Sequence, residues 1–182
     1  MIPQRVVLTY KDYEALPADG RRYELHEGEL SVTPAPSPQH QLTSRNLFRL
    51  LDDYVKTRGL GEVLYAPLDV ILSDTSIVQP DLVYLDATRL GAISRRGIEG
   101  PPTLVIEILS PATTLIDRST KQQLYARHGI PFFWLVDPEG RAVEVFVLGP
   151  QGYTLAVRAA GAGPVSLPPF PDLALIPAAL WP

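Results

Sequence analysis

The sequence predicts an α+β domain with some α/β character, built on a mixed central β-sheet flanked by helices. Short apolar runs rich in β-branched and aromatic residues, such as 103–109 and 132–137, have the composition of buried strands. Two longer segments, 40–58 and 117–128, carry apolar residues at helical spacing. No repeat, low-complexity tract or linker divides the 182 residues, so we expect a single domain over residues 1–182.

In the first half of the chain, capping and turn residues set the ends of the expected elements. Thr9 is followed three residues later by Asp12, which is typical of a helix start, and Gly59 is typical of a helix end. A tight turn at Glu27-Gly28 predicts a hairpin. The expected elements are a short helix at 9–16, strands at 22–26 and 29–32, and a helix at 40–58.

In the second half, apolar strands surround one helix. Ser110-Pro111 ends the strand before it sharply, and Gly129 closes the helix. The expected elements are strands at 62–72, 81–85, 103–109 and 132–137, a loop at 95–102, a helix at 117–128, and a final hairpin at 142–148 that 153–158 extends.

Composition narrows the classes of function. The net charge of −4 argues against a broadly basic surface that coats nucleic acid, although arginines do cluster locally at Arg45, Arg49 and Arg58. The absence of cysteine excludes disulfides, thiolate nucleophiles and Cys-ligated zinc. We find no apolar stretch of membrane-spanning length and no secretory signal, so we expect a cytoplasmic protein without a membrane partner. Nineteen prolines, with thirteen arginines against three lysines, hint at a thermophilic or high-GC source.

Two carboxylates stand in apolar surroundings. Glu107 lies inside the run 103–109, which has the length and composition of a strand buried on both faces. Asp81 lies at the start of another apolar strand. An unpaired buried carboxylate costs several kcal/mol or takes up a proton, so Glu107 needs a cation, a metal ion or a proton as its partner. Two strands that each carry one acid suggest a metal site.

The helix after Ser110 carries a third element of this site. Asp117, Lys121 and Tyr125 are spaced i, i+4 and i+8, so they lie on one face of the expected helix. That helix directly follows the strand of Glu107 and could return over the sheet near the acids. A lysine beside two metal-bound carboxylates could orient a water or neutralise charge on a phosphate.

A set of short motifs occurs in a fixed order from about residue 20 to the C-terminus. The motifs are Tyr23-Glu24-Leu25, Glu27-Gly28-Glu29-Leu30, Pro38-Gln39-His40, Pro80-Asp81-Leu82-Val83, 105–111, Asp117 with Lys121 and Tyr125, and 129–138. Each is weak alone, but the ordered set resembles the Uma-type family of bacterial restriction endonucleases, a branch of the PD-(D/E)XK nuclease superfamily.

The resemblance implies a restriction-endonuclease-like core and hydrolysis of DNA phosphodiesters that depends on Mg²⁺ or Mn²⁺. Asp81 and Glu107 would match the two metal-binding acids of the motif. The superfamily places a lysine two residues after the second acid, where this chain has Leu109. The family's pattern suggests that Lys121 replaces it as the catalytic lysine.

Four further residues would support this site. Glu24 could supply another acid near the metal, and His40 could contact phosphate or donate a supporting hydrogen bond. Asp117 and Tyr125 would accompany Lys121 on its helix face. DNA is then the expected partner, and a homodimer would allow both strands to be cut.

Structural roles compete with each of these assignments. Asp81 could cap a turn at the entrance of its strand, and Glu107 could pair with Arg118 or Arg96. The pairing of Lys121 with Asp117 could be an ordinary surface ion pair. Glu24 could face solvent or pair with an arginine, and His40 could be a hydrogen-bonding residue at the start of a helix. The aromatic residues could simply pack in the core, namely Tyr125, Phe133 and Trp134.

Two other functions also fit the sequence. A catalytically silent nucleic-acid-binding or regulatory module could retain the nuclease fold, which Leu109 and the negative net charge favour. Alternatively, the segment Phe132-Phe133-Trp134 could form a protein interface.

Overall fold

Residues 6–182 are described by a computed structural model. The helices are α1 (Tyr10–Glu14), α2 (Pro38–Arg58), α3 (Thr114–Ile116) and α4 (Gln122–Arg127), with a π-helical turn at Asp117–Lys121 and 3₁₀ turns at Leu90–Ala92 and Pro177–Ala179. The strands are β1 (Arg22–His26), β2 (Glu29–Thr33), β3 (Gly61–Tyr65), β4 (Val70–Ser73), β5 (Ser76–Val78), β6 (Leu82–Asp86), β7 (Ile98–Glu99), β8 (Leu104–Ile108), β9 (Phe132–Asp137), β10 (Ala142–Gly149), β11 (Gly152–Ala160), β12 (Val165–Leu167) and β13 (Phe170–Leu175).

The strands form two larger sheets and a hairpin. The central sheet has six strands in the order β11-β10-β9-β8-β6-β3, and it is mixed because β8 and β9 run parallel while their neighbours run antiparallel. A smaller sheet has the order β2-β1-β5-β4-β7, and β12 pairs with β13. The predicted fold class, an α+β arrangement of mixed sheet and flanking helices, is confirmed.

The central sheet is covered on both faces, which explains the continuous apolar runs of its middle strands. One face packs on α2 and on the β12–β13 hairpin through Leu47, Leu51, Trp134 and Phe170. The opposite face, which carries Val83, Val105 and Phe133, packs with Leu124 and Tyr125 of α4 and with Val70, Val78 and Ile98 of the smaller sheet. The functional side chains described below lie on this second face.

Most local predictions are confirmed. Thr9 donates to the Asp12 carboxylate at the start of α1, and Gly59 ends α2 in the left-handed conformation. Helix α2 begins at Pro38, two residues earlier than predicted, because the Ser37 hydroxyl caps it by accepting from the backbone N–H of His40. Within residues 6–182, no helix is both long enough and apolar enough to cross a bilayer.

Two predictions about strands are wrong. Residues 62–72 are not one strand, since β3 belongs to the central sheet and β4 to the smaller one, with Pro67 between them. The predicted loop 95–102 contains the short strand β7. No element was predicted after residue 158, where the structure has the hairpin of β12 and β13.

Candidate active site

Asp81 and Glu107 point into the same space. Leu82 pairs with Ile106 in the antiparallel register of β6 and β8, so continuing that register by one residue sets Asp81 opposite Glu107. Side chains alternate between faces along a strand, which puts Asp81 with Val83 and Glu107 with Val105 on the second face of the sheet. Both acids line one cavity of about 290 Å³ together with Asp117 and Lys121; we call it the acidic cavity.

The Glu107 carboxylate is buried and is hydrogen-bonded by the helical segment that follows β8. Its Oε1 accepts from Lys121 Nζ at 3.1 Å and from the hydroxyl of Tyr125 at 2.5 Å. The predicted alternative partners lie elsewhere, because Arg118 pairs with Glu144 and Arg96 with Glu99. The prediction that Glu107 faces this helix is therefore confirmed, and its pairing with an arginine is wrong.

Lys121 is the centre of the cluster rather than a solvated surface residue, and only 4% of it is exposed. Its Nζ lies 3.1 Å from Glu24 Oε1, 3.1 Å from Glu107 Oε1 and 3.5 Å from Asp117 Oδ1. The π-helical turn ends at this lysine, and such turns occur frequently at functional sites.

Glu24 enters from the smaller sheet and is buried, so its predicted exposure to solvent or pairing with an arginine is wrong. Besides Lys121, its Oε1 accepts from the backbone N–H of Gln79 at 2.6 Å. Its second oxygen lies 3.3 Å from Nε2 of His26 on the same strand. The site thus lies where the two sheets meet.

Asp81 is held by groups from β8, α2 and β1. Its Oδ2 accepts the backbone N–H of Ile108 at 2.8 Å and lies 3.1 Å from His40 Nε2, while Oδ1 lies 3.6 Å from Arg22 Nη1. His40 therefore combines two predicted roles, because its backbone belongs to the helix start and its ring supports Asp81.

Burial and neighbouring charges push the pKa values of these acids in opposite directions. Burial raises the pKa of Glu107 well above its usual 4.5; the attraction of Lys121 opposes this rise, and repulsion from Asp117, Asp81 and Glu24 adds to it. Burial acts on Glu24 in the same sense, but Lys121 and His26 overcome it and lower the pKa of Glu24.

The pKa values of Asp81 and Asp117 are also shifted in opposite directions. The pKa of Asp81 is lowered, since hydrogen bonds and charge from His40, Ile108 and Arg22 exceed the effect of burial. The pKa of Asp117 is raised by burial, with repulsion from Asp81 and Glu24. Burial alone would lower the pKa of Lys121, but the surrounding carboxylates raise it, so the ammonium stays charged.

The charge balance of the cluster fits a bound cation. Four carboxylates, from Glu24, Asp81, Glu107 and Asp117, share two permanent positive charges, those of Lys121 and Arg22. The described chain, residues 6–182, contains no group of three or more Asp, Glu, His or Cys side chains placed to hold a metal by themselves. Two carboxylates completed by water and substrate oxygens are, however, the usual ligand set of Mg²⁺.

Sequence reasoning missed several members of this site. Arg22, Gln79 and His26 were not selected, and the only signal was their closeness to Glu24 and Asp81 in the sequence. Tyr125 serves both as core and as a hydrogen-bond donor to Glu107. Phe133 and Trp134 are fully buried, so the proposed protein interface at this strand is wrong.

Comparison with known proteins gives two findings. Residues 10–179 match the model of the Uma2 family, described as "putative restriction endonuclease". The crystal structure of a putative nuclease belonging to DUF820 from Anabaena variabilis ATCC 29413 superposes with a TM-score of 0.78 and 22% sequence identity, covering 95% of this chain and 97% of that one. A search of curated proteins gives no match.

Proposed function

The chain belongs to the Uma2 family, and from this premise we propose that it is a nuclease that hydrolyses DNA phosphodiester bonds with the help of a divalent cation, Mg²⁺ or Mn²⁺. One observation carries the proposal. Asp81 and Glu107 come from paired strands, face the same side of the sheet and line one cavity, with Lys121 at the wall of that cavity.

Asp81 and Glu107 would hold the cation. Asp81 Oδ1 has only a long contact to Arg22, and the Oε1 of Glu107 carries its two hydrogen bonds, which leaves the other Glu107 oxygen for a ligand. A bound divalent cation supplies Lewis-acid polarisation of a phosphoryl oxygen and an acidified water.

Lys121 would hold a positive charge beside the phosphate throughout the reaction. The carboxylates around its Nζ keep the ammonium protonated and fix its position, so no reorganisation is needed as negative charge develops on the phosphoryl oxygens. Glu24 and Asp117 act through Lys121 and are positioning residues. His40 orients Asp81 in the same way.

The experiment is a cleavage assay on supercoiled plasmid and circular single-stranded DNA with Mg²⁺ or Mn²⁺. We expect Asp81→Asn, Glu107→Gln and Lys121→Gln each to lower the rate about 10²-fold or more. Glu144→Gln is the matched control, because it also removes a carboxylate but one that pairs with Arg118 away from the cavity. Equal activity in wild type and all three site variants would contradict the assignment.

A silent DNA-binding module remains the second candidate, favoured by Leu109. This residue stands where the superfamily has its lysine, and its side chain packs in the core. A second measurement separates the two. For a nuclease, Mg²⁺ or Mn²⁺ should raise the melting temperature of wild type but not of Glu107→Gln. A silent module should bind DNA in a salt-dependent manner without any response to metal.

A further inference from the structure

A second, larger concavity adjoins the acidic cavity. It has a volume of about 770 Å³, lies along the first turns of α2 and shares Arg22, Pro36, His40 and Asp81 with the acidic cavity. Because the two spaces share Asp81 in their walls, a polymer with one phosphate at the acids has the larger space directly beside it. We call it the arginine groove.

The groove is strongly basic in a chain whose net charge is negative. Four arginines line it, Arg21, Arg22, Arg45 and Arg49, while Asp81 is its one acidic lining residue. Arg45 and Arg49 are exposed, one helical turn apart on α2, and no carboxylate of the described residues lies within ion-pairing distance of either. Two guanidinium groups without a carboxylate partner on one face form a binding site for successive phosphates.

An aromatic ring stands beside these arginines. Tyr65, the last residue of β3, is 60% exposed, although large aromatic side chains usually lose most of their surface on folding. It is held from one side by Phe48 of α2, whose ring centre lies 4.8 Å away in an edge-to-face arrangement. An exposed, supported aromatic next to arginines that face solvent is the combination on which proteins stack unpaired bases.

The size of the groove selects the form of nucleic acid. Its volume falls within the range of about 300–1,000 Å³ that small-molecule pockets span. A short stretch of one strand fits inside such a space, whereas a duplex, which is wider than its own ~12 Å major groove, would lie across its mouth. Stacking on Tyr65 also requires a base without a partner on its stacking face.

We propose that the arginine groove binds unpaired DNA next to the scissile phosphate, with a base stacked on Tyr65 and phosphates at Arg45 and Arg49. Resting on the proposed function, this makes single-stranded DNA, or a duplex with a single-stranded end, the preferred substrate. The groove would contact the faces of bases and the phosphates rather than the base edges. We therefore expect it to prefer unpaired over paired DNA, without preference for a base sequence.

The test is binding of fluorescein-labelled dT12 and of a 12-base-pair duplex in EDTA, measured by fluorescence anisotropy. Wild type should bind dT12 more tightly than the duplex. Tyr65→Leu should weaken dT12 binding by ~5- to 150-fold, and Tyr65→Phe should retain it because the stacking face is kept. Since Tyr65 is mostly exposed, both variants should fold, which their melting temperatures check.

The outcomes separate this inference from the proposed function. If Tyr65→Leu binds dT12 as wild type does while plasmid cleavage persists, the groove assignment is overturned and the nuclease stands. Tighter binding of the duplex than of dT12 by wild type overturns it as well. If dT12 binding depends on Tyr65 but no DNA is cleaved, the groove assignment is upheld and the nuclease is rejected.

Discussion

The acidic cavity and the arginine groove adjoin at Asp81, yet they differ in the burial and the pairing of their charged side chains. In the cavity every charged side chain except the partly exposed Arg22 is buried, and each lies within 3.6 Å of an opposite charge or a hydrogen-bond donor. In the groove Arg45 and Arg49 face solvent without a carboxylate partner among the described residues. Burying a charge makes its partner essential for stability, whereas an exposed, unpaired charge is available to a ligand.

Substitutions in the two regions should therefore have different effects on stability and on binding. Changes in the cavity should alter folding stability as well as activity, because each removed group leaves a buried partner uncompensated. Changes at the exposed groove arginines should alter binding alone. Stability and binding measurements on the same variants therefore separate the two regions.

The largest effect should come from Lys121→Met. This change keeps the length of the side chain but leaves Glu24, Glu107 and Asp117 without their shared cation. We expect it to lower the free energy of unfolding by about 3–5 kcal/mol at pH 8, measured by urea denaturation. The loss should be smaller at pH 5, where the carboxylates can take up protons.

Lys56→Met is the matched control for that variant. Lys56 pairs with Asp52 at 3.0 Å on the exposed surface of α2, so its removal should leave the urea midpoint unchanged. A similar loss of stability in both lysine variants would show that burial does not distinguish them, and it would contradict the description of Lys121 as the centre of the cluster.

A smaller effect is expected for Tyr125→Phe, which removes one hydroxyl from the cavity. That hydroxyl donates to the Glu107 carboxylate, and hydrogen bonds to charged groups contribute about 1.5–3 kcal/mol. Tyr153→Phe offers a comparison, because the Tyr153 hydroxyl donates to the uncharged carbonyl of Ile130 and should be worth about 1 kcal/mol. Because the pKa of Glu107 is raised, urea denaturation at about pH 8 is the condition for this comparison, and equal losses there would mean that Glu107 is not ionised in the folded protein.

Two carboxylates at the same distance from Lys121 should respond oppositely to pH in EDTA. The raised pKa of Glu107 means that its ionisation above about pH 4.5 favours unfolding, so Glu107→Gln should gain stability relative to wild type as pH rises. The lowered pKa of Glu24 means that its charge stabilises the fold above about pH 4.5. That stabilisation is fully present above about pH 4.5 and is lost as pH falls below it. Glu24→Gln should therefore be less stable than wild type by a constant amount above about pH 4.5, and the difference should shrink at lower pH.

Urea denaturation of both variants and wild type between about pH 3 and pH 8 measures these slopes, with the Glu24 effect expected below about pH 4.5 and the Glu107 effect above it. Parallel slopes would show that the two carboxylates share one proton equally, and would refute the division of roles between them. Adding Mg²⁺ should reduce the slope of wild type, since a cation bound at Glu107 favours its ionised form.

Sequence patterns predicted the central sheet well because its strands obey local rules. The apolar run around Glu107 is buried on both faces, and the motif order placed Asp81 on a neighbouring strand. The apolar pattern of residues 62–72 did not predict the break between β3 and β4. Both strands are apolar, and only tertiary packing assigns them to different sheets. The π-helical turn also left no signal, because it changes hydrogen bonding without changing composition.

The site was predicted only in part for a related reason. Asp117, Lys121 and Tyr125 were predicted together because they share a helix face, which is a local property. The ion pair between Glu24 and Lys121 joins residues from separate parts of the fold, and the groove exists only because α2 lies beside the end of β3. Interactions of this kind depend on the completed fold.

The smallest effect on stability, and the sharpest test of the difference between the regions, is expected from the double variant Arg45→Gln/Arg49→Gln. Neither guanidinium has a carboxylate partner among residues 6–182, so the urea midpoint should stay at the wild-type value. Binding of dT12 should weaken, and the slope of log Kd against log salt should fall by ~0.7 for each phosphate that an arginine no longer neutralises. Arg158→Gln, an exposed arginine on β11 outside the groove, removes a charge that lies away from the bound strand and should keep the wild-type slope. A change in salt dependence for Arg158→Gln equal to that of the groove variant would mean that net charge, rather than the position of Arg45 and Arg49, determines the affinity.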